Sequence, residues 1–248
     1  MMSNTSFKDK LIVIAGGGYF GTEALISAKE SFAKIILLDE FPDCKASKFA
    51  DEIVKGIDLN KAMEVKANNV KFFICDAVRF LTDFLRKVTP DYIVPAIPGN
   101  LTGKLVMRWL EDQGFKIRVE SRLVKEVLDD IPKSMVNHYD KSSGTIITSY
   151  MPKGRLCKIP CDQPLDFCPT TGKPKAGAMY KVLEHATWNK VKASKIIRSH
   201  KLQRDVGCFR GEVLTSFLSR IDQIERPYSL AIGTACVCHG IMNIFSVL

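Results

Sequence analysis

The segment Ile14–Glu23 reads Ile-Ala-Gly-Gly-Gly-Tyr-Phe-Gly-Thr-Glu, and its glycines fall at Gly16-x-Gly18-x-x-Gly21, between the apolar run Lys10–Ala15 and a helical pattern. A tight turn from strand to helix of this kind leaves few architectures open. Gly16 permits the turn, Gly18 lets the backbone approach a diphosphate, and Gly21 lets the helix lie close to the strand. Unpaired N–H groups and the helix dipole then face the anion. On this reading Gly16, Gly17, Gly18, Tyr19, Phe20 and Gly21 form an anion-binding loop.

The rest of the first half repeats the strand–helix alternation. Strand signals fall at Lys10–Ala15, Lys34–Asp39, Val70–Asp76, Asp91–Pro95 and Phe115–Val119, all short and apolar with β-branched or aromatic residues. Such runs suit strands of a parallel sheet buried on both faces. Helical spacing links Leu25, Ile26 and Phe32, then Val78, Leu81, Leu85 and Val88, then Leu105, Val106, Trp109 and Leu110. The expected fold is α/β, a doubly wound and mostly parallel sheet over residues 1–120, joined to a smaller α+β half over 121–248. In that second half the pattern predicts helices over Arg122–Asp130, Ala176–Ala186 and Glu212–Ile221, and strands over Thr145–Tyr150 and Ser194–Leu202.

Asp39 ends the second strand, 18 residues after Gly21, where an acid accepts hydrogen bonds from a ribose diol. With the glycine loop, this resembles the Rossmann-type nucleotide-binding superfamily over residues 10 to about 120. Three branches are similar. NAD-binding domains, including the small ones that gate potassium uptake, share GGGYFG…LLDE…FICDA. Class I methyltransferases place a glycine loop and a strand-end acid alike, which would put Asp76 beside an adenine ring. The N-terminal domain of ATP-grasp ligases is similar in LLDEFPDCKASKFADEIV and DYIVPAIPGN, although a whole ligase needs a longer chain. The full glycine pattern makes NAD(H) the expected cofactor and an oxidoreductase the expected activity. An S-adenosylmethionine-dependent methyltransferase and a non-catalytic nucleotide-binding or sensor protein are the alternatives. Pro98 and Asn100, in the turn after the fourth strand, face the ligand edge on this reading, with Asn100 as a helix cap.

The net charge of +9 is uneven: residues 121–248 hold 19 Lys and Arg against 11 Asp and Glu. A basic half suits a small anionic substrate, and no recognised nucleic-acid motif accompanies the charge. Thr170, Thr171 and Lys173, before the helix expected near Ala176, and His200, Arg204 and Arg210 are the expected substrate contacts. Eight cysteines in a chain with no secretory h-region imply reduced thiols in a cytoplasmic protein. Cys157, Cys161, Cys168, Cys236 and Cys238 are candidate ligands for zinc or an iron–sulfur cluster. Cys168, and Cys238 with the adjacent His239, are the candidate catalytic groups. The uncharged segment Ser229–Leu248 has the length of a membrane span, but its glycines, His239 and Asn243 favour a buried strand and a turn. A homo-oligomer without membrane partners is expected.

Overall fold

The computed structural model describes residues 7–155, 157, 161–202 and 206–248. The elements run β1 (Leu11–Ala15), α1 (Tyr19–Glu30), β2 (Lys34–Asp39), β3 (Glu52–Lys55), α2 (Leu59–Met63), β4 (Val70–Ile74), α3 (Ala77–Leu85), β5 (Tyr92–Pro95) and α4 (Leu101–Glu111). They continue with β6 (Ile117–Arg118), α5 (Ser121–Asp129), β7 (Val136–Asp140), β8 (Thr145–Ser149), α6 (Met179–Thr187), β9 (Ala193–Arg198), β10 (His200–Lys201), β11 (Gly207–Arg210), α7 (Gly211–Asp222), β12 (Tyr228–Ala235) and β13 (His239–Val247). Two compact units result, Met1–Pro98 with Lys201–Thr215, and Gly99–His200 with Ser216–Leu248.

In the first unit β3, β4, β2, β1 and β5 lie side by side and parallel, and β11 joins β5 antiparallel. The expected α/β sheet is therefore present. Ile12–Ala15, Ile35–Leu38, Phe72 and Phe73 have no solvent exposure, as strands covered on both faces require. Each of the Val, Ile, Leu and Phe side chains among them contributes roughly 1.5–3 kcal/mol of transfer free energy. The helix α3 starts where Asp76 accepts a 2.6 Å hydrogen bond from the Arg79 N–H.

The second unit is a largely antiparallel sheet in the order β7-β8-β13-β12-β9, with β12 and β9 parallel and β6 paired to β13. Strand side chains alternate between faces. One face, with Ile146, Met242 and Ile244, packs against Val124 and Val127 of α5 and Leu183 and Ala186 of α6. Against β12 and β13 lies α4. A Cβ on Gly103 would sit 2.1 Å from the Asn243 Oδ1, so only glycine allows that approach.

Three expectations change. The run Phe115–Val119 yields only the two-residue β6, which pairs with β13 of the second sheet and does not extend the first. The units divide at Pro98, not near residue 120, because α4 packs on β12 and β13. The uncharged Ser229–Leu248 is not one strand and a turn but the hairpin of β12 and β13, in register from Tyr228↔Val247 to Ala235↔Gly240. No helix among the described residues is long and apolar enough to cross a membrane.

Candidate functional site

The glycine loop of the first unit joins β1 to α1 at the carboxyl edge of the parallel strands. Gly16 has φ +106°, and a Cβ there would lie 2.6 Å from the Ala96 carbonyl oxygen. A Cβ on Gly21 would lie 1.8 Å from the Gly16 oxygen, so helix and loop touch through backbone alone. Above Gly18 there is open space, with nothing within 4 Å of a Cβ position. Gly18 occupies the N-cap of α1, no side chain caps the helix, and its first turn holds no carboxylate. The first four N–H groups of a helix have no intrahelical acceptor, and here Gly18, Tyr19 and Phe20 are exposed while Gly21 is buried. Those rings meet edge to face at 5.4 Å, and the Lys45 ammonium lies 4.7 Å from the centre of the Tyr19 ring.

Asp39 serves the loop itself. One carboxylate oxygen accepts the Gly17 N–H at 2.6 Å and the other accepts the Phe41 N–H at 2.9 Å. The Gly17 carbonyl in turn accepts the Ala46 N–H at 2.9 Å. Gly17 is therefore a buried hinge of the loop and offers no amide to a ligand, and Asp39 positions the loop. Asp76 is engaged as the α3 cap. Pro98 closes the first unit at the turn after β5. Asn100 is a correction: its side chain is 4 % exposed and does not cap α4. Its amide donates to the Ile232 carbonyl (3.1 Å) and the Asn243 Oδ1 (2.9 Å), and its own oxygen accepts from the Thr102 hydroxyl (2.8 Å). It organises the second unit and is not free to meet a cofactor.

Of the substrate contacts expected in the basic half, Thr170, Thr171, Lys173, His200 and Arg210 are described. Thr170, Thr171 and Lys173 lie in a loop that folds on itself: the Cys168 N–H donates to the Lys173 carbonyl, and the Gly172 N–H to that of Cys168. The helix after it begins only at Met179, so these residues do not sit at a helix start. Arg210 faces Glu212 at 3.1 Å, both exposed, and that hydrogen bond, with Tyr92, holds the guanidinium pKa above its ordinary value. His200 is exposed at the start of β10. Arg204 lies outside the described residues.

The cysteines are all free thiols. Among the described residues no three of His, Cys, Asp and Glu stand in an arrangement that holds a metal ion. Cys157 meets the Thr170 hydroxyl at 3.8 Å, Cys161 accepts the Gln163 N–H at 3.4 Å, and buried Cys168 points at the Met151 sulfur. Burial raises the Cys168 pKa, but hydrogen bonds from Thr171 and Thr170 and the Lys175 charge outweigh it and hold the thiol below the ordinary value. Cys168 is nevertheless only 4 % exposed, too enclosed for a nucleophile. Cys238 is also buried; burial pushes its thiol up, against the Lys175 ammonium 3.1 Å away. The thiol that meets His239 is Cys236, 3.7 Å from Nδ1. His239 is exposed, yet the protein packed around its ring and, secondly, Lys175 hold its pKa below the ordinary value. Lys175 itself was missed: it is 9 % exposed, and its ammonium donates to the Pro164 carbonyl as well as to Cys238. Nothing in a Pro-Lys-Ala string marks a lysine for burial.

Comparisons with known proteins place the chain. Two sequence-family models match it, "Uncharacterized protein, N-terminal domain" over residues 11–101 and "Uncharacterized protein, C-terminal domain" over residues 102–248. An Archaeoglobus fulgidus protein described as "Uncharacterized protein" is 25% identical over 236 residues, 93% of this chain and 97% of that one. The formate-dependent phosphoribosylglycinamide formyltransferase of Prochlorococcus marinus is 25% identical over 124 residues, which is 50% of this chain but 27% of that enzyme. A crystal structure of N5-carboxyaminoimidazole synthetase from Staphylococcus aureus complexed with ADP matches with TM-score 0.27 and 18% identity, over 58% of this chain and 40% of that one. The chain spans 27% of the length of that formyltransferase and 40% of the length of that synthetase.

Proposed function

We propose that this chain, which belongs to the family whose N-terminal and C-terminal domain models it matches from residue 11 to residue 248, binds a ribose-phosphate ligand of the nucleotide class at the glycine loop of its first unit. The observation that carries this reading is the uncapped start of α1. Unsatisfied N–H groups, a positive helix end, open space over Gly18 and no carboxylate in the first turn favour an anion. Tyr19 and Phe20 offer exposed ring faces beside it, and stacking of a base on an aromatic ring is worth about 1–3 kcal/mol. Lys45 adds a cation at the same rim.

Among nucleotides, adenine mono-dinucleotide choice turns on Asp39. One of its carboxylate oxygens already accepts the Gly17 N–H of the loop and the other the Phe41 N–H after β2, which weakens the case for a ribose diol of NAD(H) as their partner. The likeness to a phosphoribosylglycinamide formyltransferase points the same way, toward a phosphoribosyl compound and away from an oxidoreductase. The role proposed is binding; ligase chemistry is not assigned to a chain that spans 27% of that enzyme. Thermal unfolding with ATP, ADP, NADH and S-adenosylmethionine in turn is the test. A shift with ATP or ADP is expected. A shift with NADH alone would restore the dehydrogenase reading, one with S-adenosylmethionine alone would favour a methyltransferase, and none with any phosphate ligand would remove the loop from the site.

A further inference from the structure

In the second unit a cavity, a nucleophile and a base coincide. A cleft of about 460 Å³ opens where β8, β12 and β13 end, within the size range of small-molecule sites. The alternation of the strands explains its lining. Ile146, Met242 and Ile244 point to the helices α5 and α6, so Ile147, Ser149, His239 and Ile241 are left on the opposite face and form the floor. Met151 and Arg155 stand at one side.

The turn between β12 and β13 sets the chemistry. It closes with the Cys236 N–H donating to the His239 carbonyl at 2.9 Å. The N–H groups of Cys238 and His239 each donate to the Cys236 Sγ, both at 3.3 Å. These two donors fix the sulfur in the cleft, and they strengthen as it gains negative charge. His239 Nδ1 stands 3.7 Å from the same sulfur, within reach of the S–H proton. A nucleophile held beside a base is the arrangement that covalent catalysis requires.

We infer that this cleft is an acyl-accepting site in which Cys236 is the nucleophile and His239 the general base, taking an apolar carboxylic ester or thioester. Ile147, Met151, Ala235 and Ile241 provide apolar wall for the acyl chain, and the Arg155 guanidinium suits an anionic group on the leaving portion. The Cys236 proton passes to Nδ1 as the Sγ–C bond forms at the carbonyl. Collapse breaks the bond from that carbon to the leaving oxygen or sulfur, which takes the proton back from the imidazolium. The acyl group remains on Cys236 for transfer to water or a second nucleophile, and no oxidant or reductant enters.

The test uses the whole chain with p-nitrophenyl butyrate. A burst of one p-nitrophenolate per chain is expected, with the butyryl group mapped by mass spectrometry to the peptide that holds Cys236. Cys236→Ala should abolish the burst, and His239→Gln should slow it by about 100-fold or more, the usual scale of general-base assistance. Cys44 and Cys161 are partly exposed like Cys236, do not line the cleft and serve as internal controls, so the wild-type map decides even where a variant fails to fold. Butyryl spread over those thiols, no burst, or a His239→Gln variant that acylates at the wild-type rate would overturn the inference.

Discussion

Replacing Gly18 by aspartate separates the ligand role of the α1 start from its structural role, because the two effects have opposite signs. Gly18 is at the N-cap, has no neighbour within 4 Å of its Cβ position and carries a negative φ of −71°. An aspartate therefore enters without a clash and caps the free N–H groups. The gain over glycine is a few tenths of a kcal/mol as a cap, and its charge at the positive helix end adds about 0.3–1 kcal/mol. At about 2–4 °C per kcal/mol for a chain of this size, the unliganded variant should melt about 1–5 °C higher than the wild type. Its ligand response should vanish, because a carboxylate now occupies the anion's place and repels it. In the wild type a ligand at 100 times its Kd adds about 2.7 kcal/mol of stability. Differential scanning fluorimetry with and without ADP reads both effects. A variant that still gains stability with ADP would refute the assignment of that helix end, and one that melts lower without ligand would refute the capping argument.

Gly21→Ala should lose several kcal/mol, more than the usual 1–3 for overpacking, because its Cβ meets backbone at 1.8 Å and not a movable side chain; urea unfolding would show it. Asp39→Asn should lose about 1–3 kcal/mol and weaken nucleotide binding, since an amide keeps one acceptor and turns its NH2 donor toward an N–H that needs an acceptor; unchanged stability would free Asp39 to be a ligand residue. Burial pushes the thiols of Cys75 and Cys208 up to about 12 from 9.0, so both should resist a thiol reagent at pH 8 until the chain is denatured. The same shifts fix a sign: the folded state keeps these protons longer than the unfolded state, so their contribution is intact below pH 9 and is lost as pH rises from there toward 12. Urea midpoints that hold steady between pH 8 and 11 would contradict it.

The parallel half was legible because burial on both faces demands unbroken apolar runs, and Lys34–Asp39 and Val70–Ile74 could be little else. Glu52–Lys55 was not, since an edge strand with Val54 as its one buried residue carries too little pattern. Phe115–Val119 misled because β propensity does not say which sheet a strand will join, and here the partner, β13, is far along the chain. The lack of charge in Ser229–Leu248 had a simple cause that only packing reveals: α5, α6 and α4 pack against its two strands. The glycine loop could be read because Gly16, Gly17 and Gly21 each answer to a local steric demand. The thiol site could not, since Cys236 and Cys238 differ only in how a four-residue turn points them, and the turn left Cys236 beside His239 while it buried Cys238.

The central claim is that the amides opening α1 hold a phosphate, and amide chemical shifts in a ¹⁵N–¹H correlation spectrum during titration with ADP address it atom by atom. The account predicts that the Gly18, Tyr19, Phe20 and Gly21 amides move most, while that of Gly17, already bonded to Asp39, moves less. Saturable binding that leaves those four amides in place while others shift would contradict it.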